Sequence, residues 1–134
     1  MKLLTRWEDW ALFPMRLTIG GLFLYTGISK AMNLAGASQA FANWGFPMAS
    51  ATVMFVMLAE IIGGLFLIFG LLTRYAAIWL SIILIVAFLV VGLRNIGTPM
   101  FTAALKDIAL LGGTLTLILS GARSPSLDDF FLID

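Results

Sequence analysis

The chain has 134 residues, 61% of them hydrophobic and only 11% charged, with a net charge of +1. Soluble domains carry about a quarter charged residues, so a water-soluble globule is excluded, and the near-neutral balance offers no basic field for nucleic acid. Cysteine and histidine are both absent, which removes disulfides, dithiol redox pairs, thiolate metal sites and histidine-ligated haem from the chemistry the chain itself can supply.

In chain order, Leu3, Leu4, Trp7, Trp10 and Ala11 share a helical face while Arg6, Glu8 and Asp9 point elsewhere, the pattern of a short N-terminal interfacial helix. Lys2 and Arg6 ahead of an apolar run have the look of a cleaved leader, but Glu8, Asp9 and Arg16 interrupt it, so the segment is expected to be a retained first span. A membrane span needs about 20 apolar residues, and the stretches 10–30, 49–72, 75–93 and 101–120 qualify. Between them, 33–47 (NLAGASQAFANWGFP) reads as a loop with a short interfacial turn near Phe41 and Trp44. Thr73–Arg74 reads as a tight link, and 93–99 (LRNIGTP) as a breaker-rich turn. After the fourth span, Ser126 and Asp129 have the spacing of a capped surface turn leading to an apolar FFLID.

Links this short make consecutive helices antiparallel neighbours. The expected fold is therefore all-α: an integral membrane antiparallel four-helix bundle forming one domain over 1–134. Lys2, Arg6, Arg74 and Arg123 fall on one side of the spans and Lys30 and Arg94 on the other, which places both termini in the cytoplasm. Trp44, Trp79, Tyr25 and Tyr75 lie near the proposed interfaces and read as an aromatic belt.

Glu60 is the only ionisable residue between Ala49 and Leu72. A charge at the bilayer centre costs about 2.5–3.5 kcal/mol on insertion scales, so it should face protein and have a partner. Gly63, Gly64 and Leu67 share its helical face, and Arg16, Gly20, Phe23, Gly27 and Lys30 form a stripe on the first span. Glycines on a span let backbones approach closely, so Gly20, Gly27, Gly63, Gly64, Gly70 and Gly113 are expected packing positions. Arg16 is the expected ion partner of Glu60. Lys106 and Asp107 enter from the opposite surface, and being consecutive they diverge by about 100°, so at most one aims at the bundle axis. The candidate polar core is thus Arg16, Lys30, Glu60, Lys106 and Asp107. It reads either as a register-fixing ion network or as a functional site, for a polar head group such as a quinone carbonyl or for a proton path. No sequence pattern for a metal, a covalent cofactor, a nucleotide loop or a catalytic triad is present.

The motifs "R…G..F…G..K" (Arg16, Gly20, Phe23, Gly27, Lys30), "GFP" (45–47), "E..GG..L..G..TR" (Glu60, Gly63, Gly64, Gly70, Thr73, Arg74) and a late "GAR.PSLD" follow one another over nearly the whole chain. In this it resembles the DoxX family. The resemblance implies a small four-helix inner-membrane protein of bacteria or archaea, from a family named after a subunit linked to terminal quinol oxidase and to thiosulfate:quinone oxidoreductase. It implies membrane lipids and other membrane subunits, or further copies of the chain, as partners, and a quinone or a lipid as the small-molecule ligand. The expected role is a membrane subunit of a larger quinone-linked complex. Two alternatives stay open: a stand-alone thiosulfate:quinone oxidoreductase that uses Arg16 and Lys30 for anion or quinone contacts, and a small-molecule or lipid transporter or binding protein.

Overall fold

The computed structural model describes residues 11–99 and 101–120. The proposed interfacial turn before residue 11, the capped turn at Ser126 and the FFLID tail lie outside them. Helix α1 spans Phe13–Met32, with Pro14 in its first turn, where a missing N–H costs nothing. Helix α2 spans Leu34–Asn43, α3 spans Ala49–Phe69, α4 spans Thr73–Ala87, and α5 spans Phe101–Ser120. A π-helical turn, Phe88–Gly92, and a 3₁₀ turn, Leu93–Asn95, prolong α4, so the third span runs Thr73–Asn95. The Asn95 side-chain amide donates to Val91 O at 2.7 Å, satisfying a carbonyl at this widened turn.

Among the described residues, three helices, α3, Thr73–Asn95 and α5, are long and apolar enough to cross a membrane. Helix α1 matches α5 in length but carries Arg16 and Lys30. Successive long helices pack antiparallel, as the Gly20–Gly64, Trp79–Ala59 and Ser81–Thr114 contacts show, and the described residues form an all-helical integral membrane bundle. Its closest seams join α1 to α3 and α4 to α5; α1 meets α5 only sparsely. Ile19, Phe23, Leu67, Leu80, Leu84 and Leu117 form the buried core.

The segment expected to be a loop is largely helix. Asn33 caps α2 by accepting the Gly36 N–H at 3.1 Å, and the alanines that follow favour helix over coil. At its other end, Arg94 Nη1 donates to Trp44 O at 2.9 Å, placing a cation on the C-terminal carbonyls of α2. Phe41, buried, holds the helix down through ring contacts with Trp44 and Phe46 at 5.4 and 5.1 Å.

Helix packing follows the glycines, but not uniformly. A Cβ placed on Gly20 would lie 2.7 Å from Gly64 O, and one on Gly64 would lie 2.6 Å from Gly20 O and 2.9 Å from Leu24 N. The α1 and α3 backbones therefore touch where no side chain intervenes. Gly27 repeats this against Ile61 and Met57. Gly63 instead faces α4: its missing Cβ leaves room for Trp79 Nε1, which donates to Ala59 O at 3.1 Å. Trp79 also packs on Phe66, 5.8 Å between centroids, which seats its ring in the α3–α4 seam. Gly113 meets Ile19 and Met15 of α1.

Gly70 departs from the packing role expected of it. It ends α3 with φ at 69°, a left-handed conformation that costs glycine nothing. The Leu71 N–H then bonds back to Phe66 O at 2.8 Å, and the chain turns within three residues into α4.

The α1–α3 contact predicts a contrast between two glycines. Gly64→Ala must push backbone against backbone and should lower stability by about 1–3 kcal/mol. Gly112→Ala, with nothing within 4 Å of the added carbon, should leave stability unchanged or slightly raised. Thermal unfolding midpoints of the two variants in the same detergent check this.

Candidate functional site

Antiparallel packing through Gly20–Gly64 and Gly27–Ile61 sets Glu60 level with the Gly27 region of α1. Side chains on a helix lean towards its N-terminus. In an antiparallel pair, Glu60 therefore leans towards the level of Lys30, and Lys30 leans back down towards Glu60. The two meet: Lys30 Nζ donates to Glu60 Oε1 at 3.0 Å and to Oε2 at 3.2 Å. Thr26, one turn before Lys30, donates from its hydroxyl to Glu60 Oε2 and also lies 3.0 Å from Phe23 O. The Glu60 side chain is 6% exposed and that of Lys30 22%.

Arg16 is not the partner of Glu60. It sits eleven residues before Gly27 on α1, roughly 16 Å along the axis, and it leans the other way. Its guanidinium stacks over Phe13, 5.4 Å from the ring centroid, and the residue is fully buried. The pairing expected from the sequence rested on depths counted from the span ends; the glycine register shifts the helices so that Lys30 takes that place.

On α5 the consecutive charges do diverge. Lys106 is exposed, whereas Asp107 is half-buried in a crevice of about 180 Å³ that α4 and α5 form from Leu84, Ile85, Phe88, Leu89, Ile108 and Leu111. The structure thus gathers Thr26, Lys30, Glu60 and, further out, Asp107 in one half of the bundle, and puts Arg16 in the other.

Two polar contacts escaped the sequence reading. Thr26 lies on the glycine stripe one turn from Lys30, a position that could have marked it. Ser81 Oγ donates to Thr114 Oγ1 at 2.7 Å, joining α4 to α5 in the core. In both cases a lone hydroxyl on the inward face of an apolar span was the available signal.

Beside Lys30, a second cleft of about 310 Å³ opens to the outside, lined by Tyr25, Thr26, Ser29, Lys30, Asn33 and Ala37. Among the described residues no group of three or more acidic, cysteine or histidine side chains comes together to hold a metal ion. The chemistry on offer is hydrogen bonding and charge.

A four-span helical bundle with a glycine-sealed α1–α3 seam and a buried lysine–glutamate pair defines a class of small integral membrane protein. The chain belongs to the DoxX family, whose model matches residues 11–93. It is 34% identical to "Putative oxidoreductase CatD" of Bacillus subtilis (strain 168) over 116 residues, 87% of this chain and 83% of that one. It is 31% identical to the inner membrane protein YqjF of Escherichia coli (strain K12), covering 90% of this chain and 92% of the relative. An uncharacterized membrane protein of Mycobacterium tuberculosis (strain ATCC 25618 / H37Rv) is 32% identical over 85% of this chain and 77% of its own. No solved structure matches the chain.

The pair geometry predicts an asymmetry. Lys30→Met strands a nearly enclosed carboxylate and should cost about 2.5–3.5 kcal/mol. Glu60→Leu should cost less, because the partly exposed Lys30 can turn to the cleft, and the double variant should be milder than Lys30→Met alone. A double-mutant cycle between Arg16 and Glu60 should give a coupling within about 0.5 kcal/mol of zero. Unfolding free energies in detergent measure all of these.

Proposed function

We propose that the protein is a small membrane subunit of a larger quinone-linked electron-transfer complex, in which partner chains carry the redox cofactors. The observation that carries this reading is a mismatch of means. The bundle holds a built polar cluster within the membrane, Thr26–Lys30–Glu60, yet the sequence contains no cysteine or histidine. Carboxylate, ammonium and hydroxyl groups orient an acceptor or steady a neighbouring helix, but they do not carry electrons. The relative named an oxidoreductase supports the same direction.

In this proposal the apolar outer faces of α3, α4 and α5 meet lipid and neighbouring membrane subunits, or further copies of the chain. The protein sits in the inner membrane of a bacterium or archaeon with both termini in the cytoplasm. Arg74, at the start of α4, then lies on the cytoplasmic side, and α2 lies on the opposite surface. A stand-alone thiosulfate:quinone oxidoreductase is the competing reading, and its Arg16 and Lys30 anion site is weakened by the separation of these two residues. A transporter of the repeat type is disfavoured, because α1, α3 and α5 are unbroken helices and the π turn in the third span has no counterpart in them.

Gentle solubilisation from native membranes should recover the chain together with a cofactor-bearing complex. The isolated, monodisperse chain should show no quinone-coupled oxidation of sulfur donors. Robust turnover by the isolated chain would overturn the subunit assignment.

A further inference from the structure

The Lys30–Glu60 pair leaves part of Lys30 unused. An ammonium has three N–H donors; two are directed at Glu60, at 3.0 and 3.2 Å, and the exposed flank of the side chain lines the open cleft. The other polar groups of that cleft are also donors. Asn33 commits its Oδ1 to the Gly36 N–H at 3.1 Å, so the amide NH₂ is the end left to serve an occupant. Ser29 and Tyr25 are exposed and add hydroxyls. Thr26 is already engaged with Glu60 and Phe23.

Charge then narrows the occupant. Glu60 neutralises Lys30 at contact distance, so the cleft presents several donors with little net positive charge. An anionic phosphate would find no free counter-charge there, because Glu60 already holds the ammonium, whereas a neutral carbonyl oxygen needs only the donors. Depth narrows it further. Lys30 lies two residues from the end of α1, about 3 Å, and Tyr25 lies about 7–8 Å deeper. A head group at Lys30, Ser29 and Asn33 would send its tail past Tyr25 along the lipid-facing side of α1. The cleft is shallow and wide open on one side, so it offers a donor-lined ledge for one flat ring and leaves the tail in lipid.

We infer that the cleft beside Lys30 binds the carbonyl head group of a neutral membrane amphiphile, a quinone ring, with Lys30, Ser29 and Asn33 donating to its oxygens. This rests on the quinone-linked reading above and gives it a location. The ammonium held by Glu60 is a positioning element as well as a donor: without Glu60 it would be a free charge and would select phosphate.

The test uses the purified full chain in phosphatidylcholine nanodiscs and a short-tailed ubiquinone bearing a photoreactive azide, with the labelled peptide identified by mass spectrometry. Labelling is expected within residues 25–37. Ser29→Leu, which fills the cleft but spares the ion pair, should reduce it about fivefold, the equivalent of one neutral hydrogen bond. Asn33→Asp keeps the α2 cap but replaces the donor by an acceptor, and should reduce it similarly; the unfolding midpoint of each variant reports that the fold is kept. Doping the nanodisc with phosphatidylglycerol should leave labelling unchanged. Labelling elsewhere, none at all, or none lost in both folded variants would overturn the site. Displacement by phosphatidylglycerol would also overturn it and identify a lipid-phosphate site instead. A chain that binds no quinone here yet co-purifies with a redox complex would overturn this site and leave the subunit assignment standing.

Discussion

The backbone contact between Gly20 and Gly64 is the constraint on which the rest of the bundle depends. In lipid there is little hydrophobic drive to bring two helices together, so close packing and interhelical polar contacts supply the association. Removing two Cβ atoms at facing positions lets the α1 and α3 backbones touch, and a contact that close tolerates no sliding. With the register locked, the neighbours of Glu60 follow by helical geometry. Lys30 and Thr26 fall within reach; Arg16 does not.

The ion pair has a different character from the glycine seam. A lysine and a glutamate in the membrane repay their desolvation only when the geometry is good and the remaining polar sites are filled. Here both carboxylate oxygens receive the ammonium and one also receives the Thr26 hydroxyl. The pair is therefore self-sufficient on the side facing the core and open on the side facing the cleft. α2 completes that open side: its capping residue Asn33 lines the cleft, and Arg94 ties its far end to the outer end of the third span. The segment expected to be a loop is a helix held at both ends.

Much of this was legible in the sequence, and the limits have physical causes. The span count, the inward face of Glu60 and the glycine stripe follow from composition and the 3.6-residue period. The choice between Arg16 and Lys30, which share that stripe, required the axial register of two helices, and a periodic pattern carries no axial information. Gly70 has the spacing of a packing glycine, and only the left-handed backbone reveals it as a cap. α2 was hidden because small and polar residues at 33–40 resemble a loop until Asn33 is seen bonding to Gly36. Thr26 was silent because a threonine in an apolar helix usually bonds its own backbone, and only the structure shows this hydroxyl turned to Glu60.

The central claim is that Glu60 is held by Lys30 in a register fixed by glycines. The chain contains three lysines and two glutamates, so solid-state NMR of bilayer-embedded protein with ¹⁵Nζ-lysine and ¹³Cδ-glutamate can observe the pair directly by dipolar recoupling. The account predicts a close Nζ–Cδ contact, as Nζ···Oε distances of 3.0 and 3.2 Å require, and its loss in Lys30→Met. A glutamate signal that ignores the Lys30 substitution and recouples instead to an arginine guanidinium lost in Arg16→Leu would contradict it.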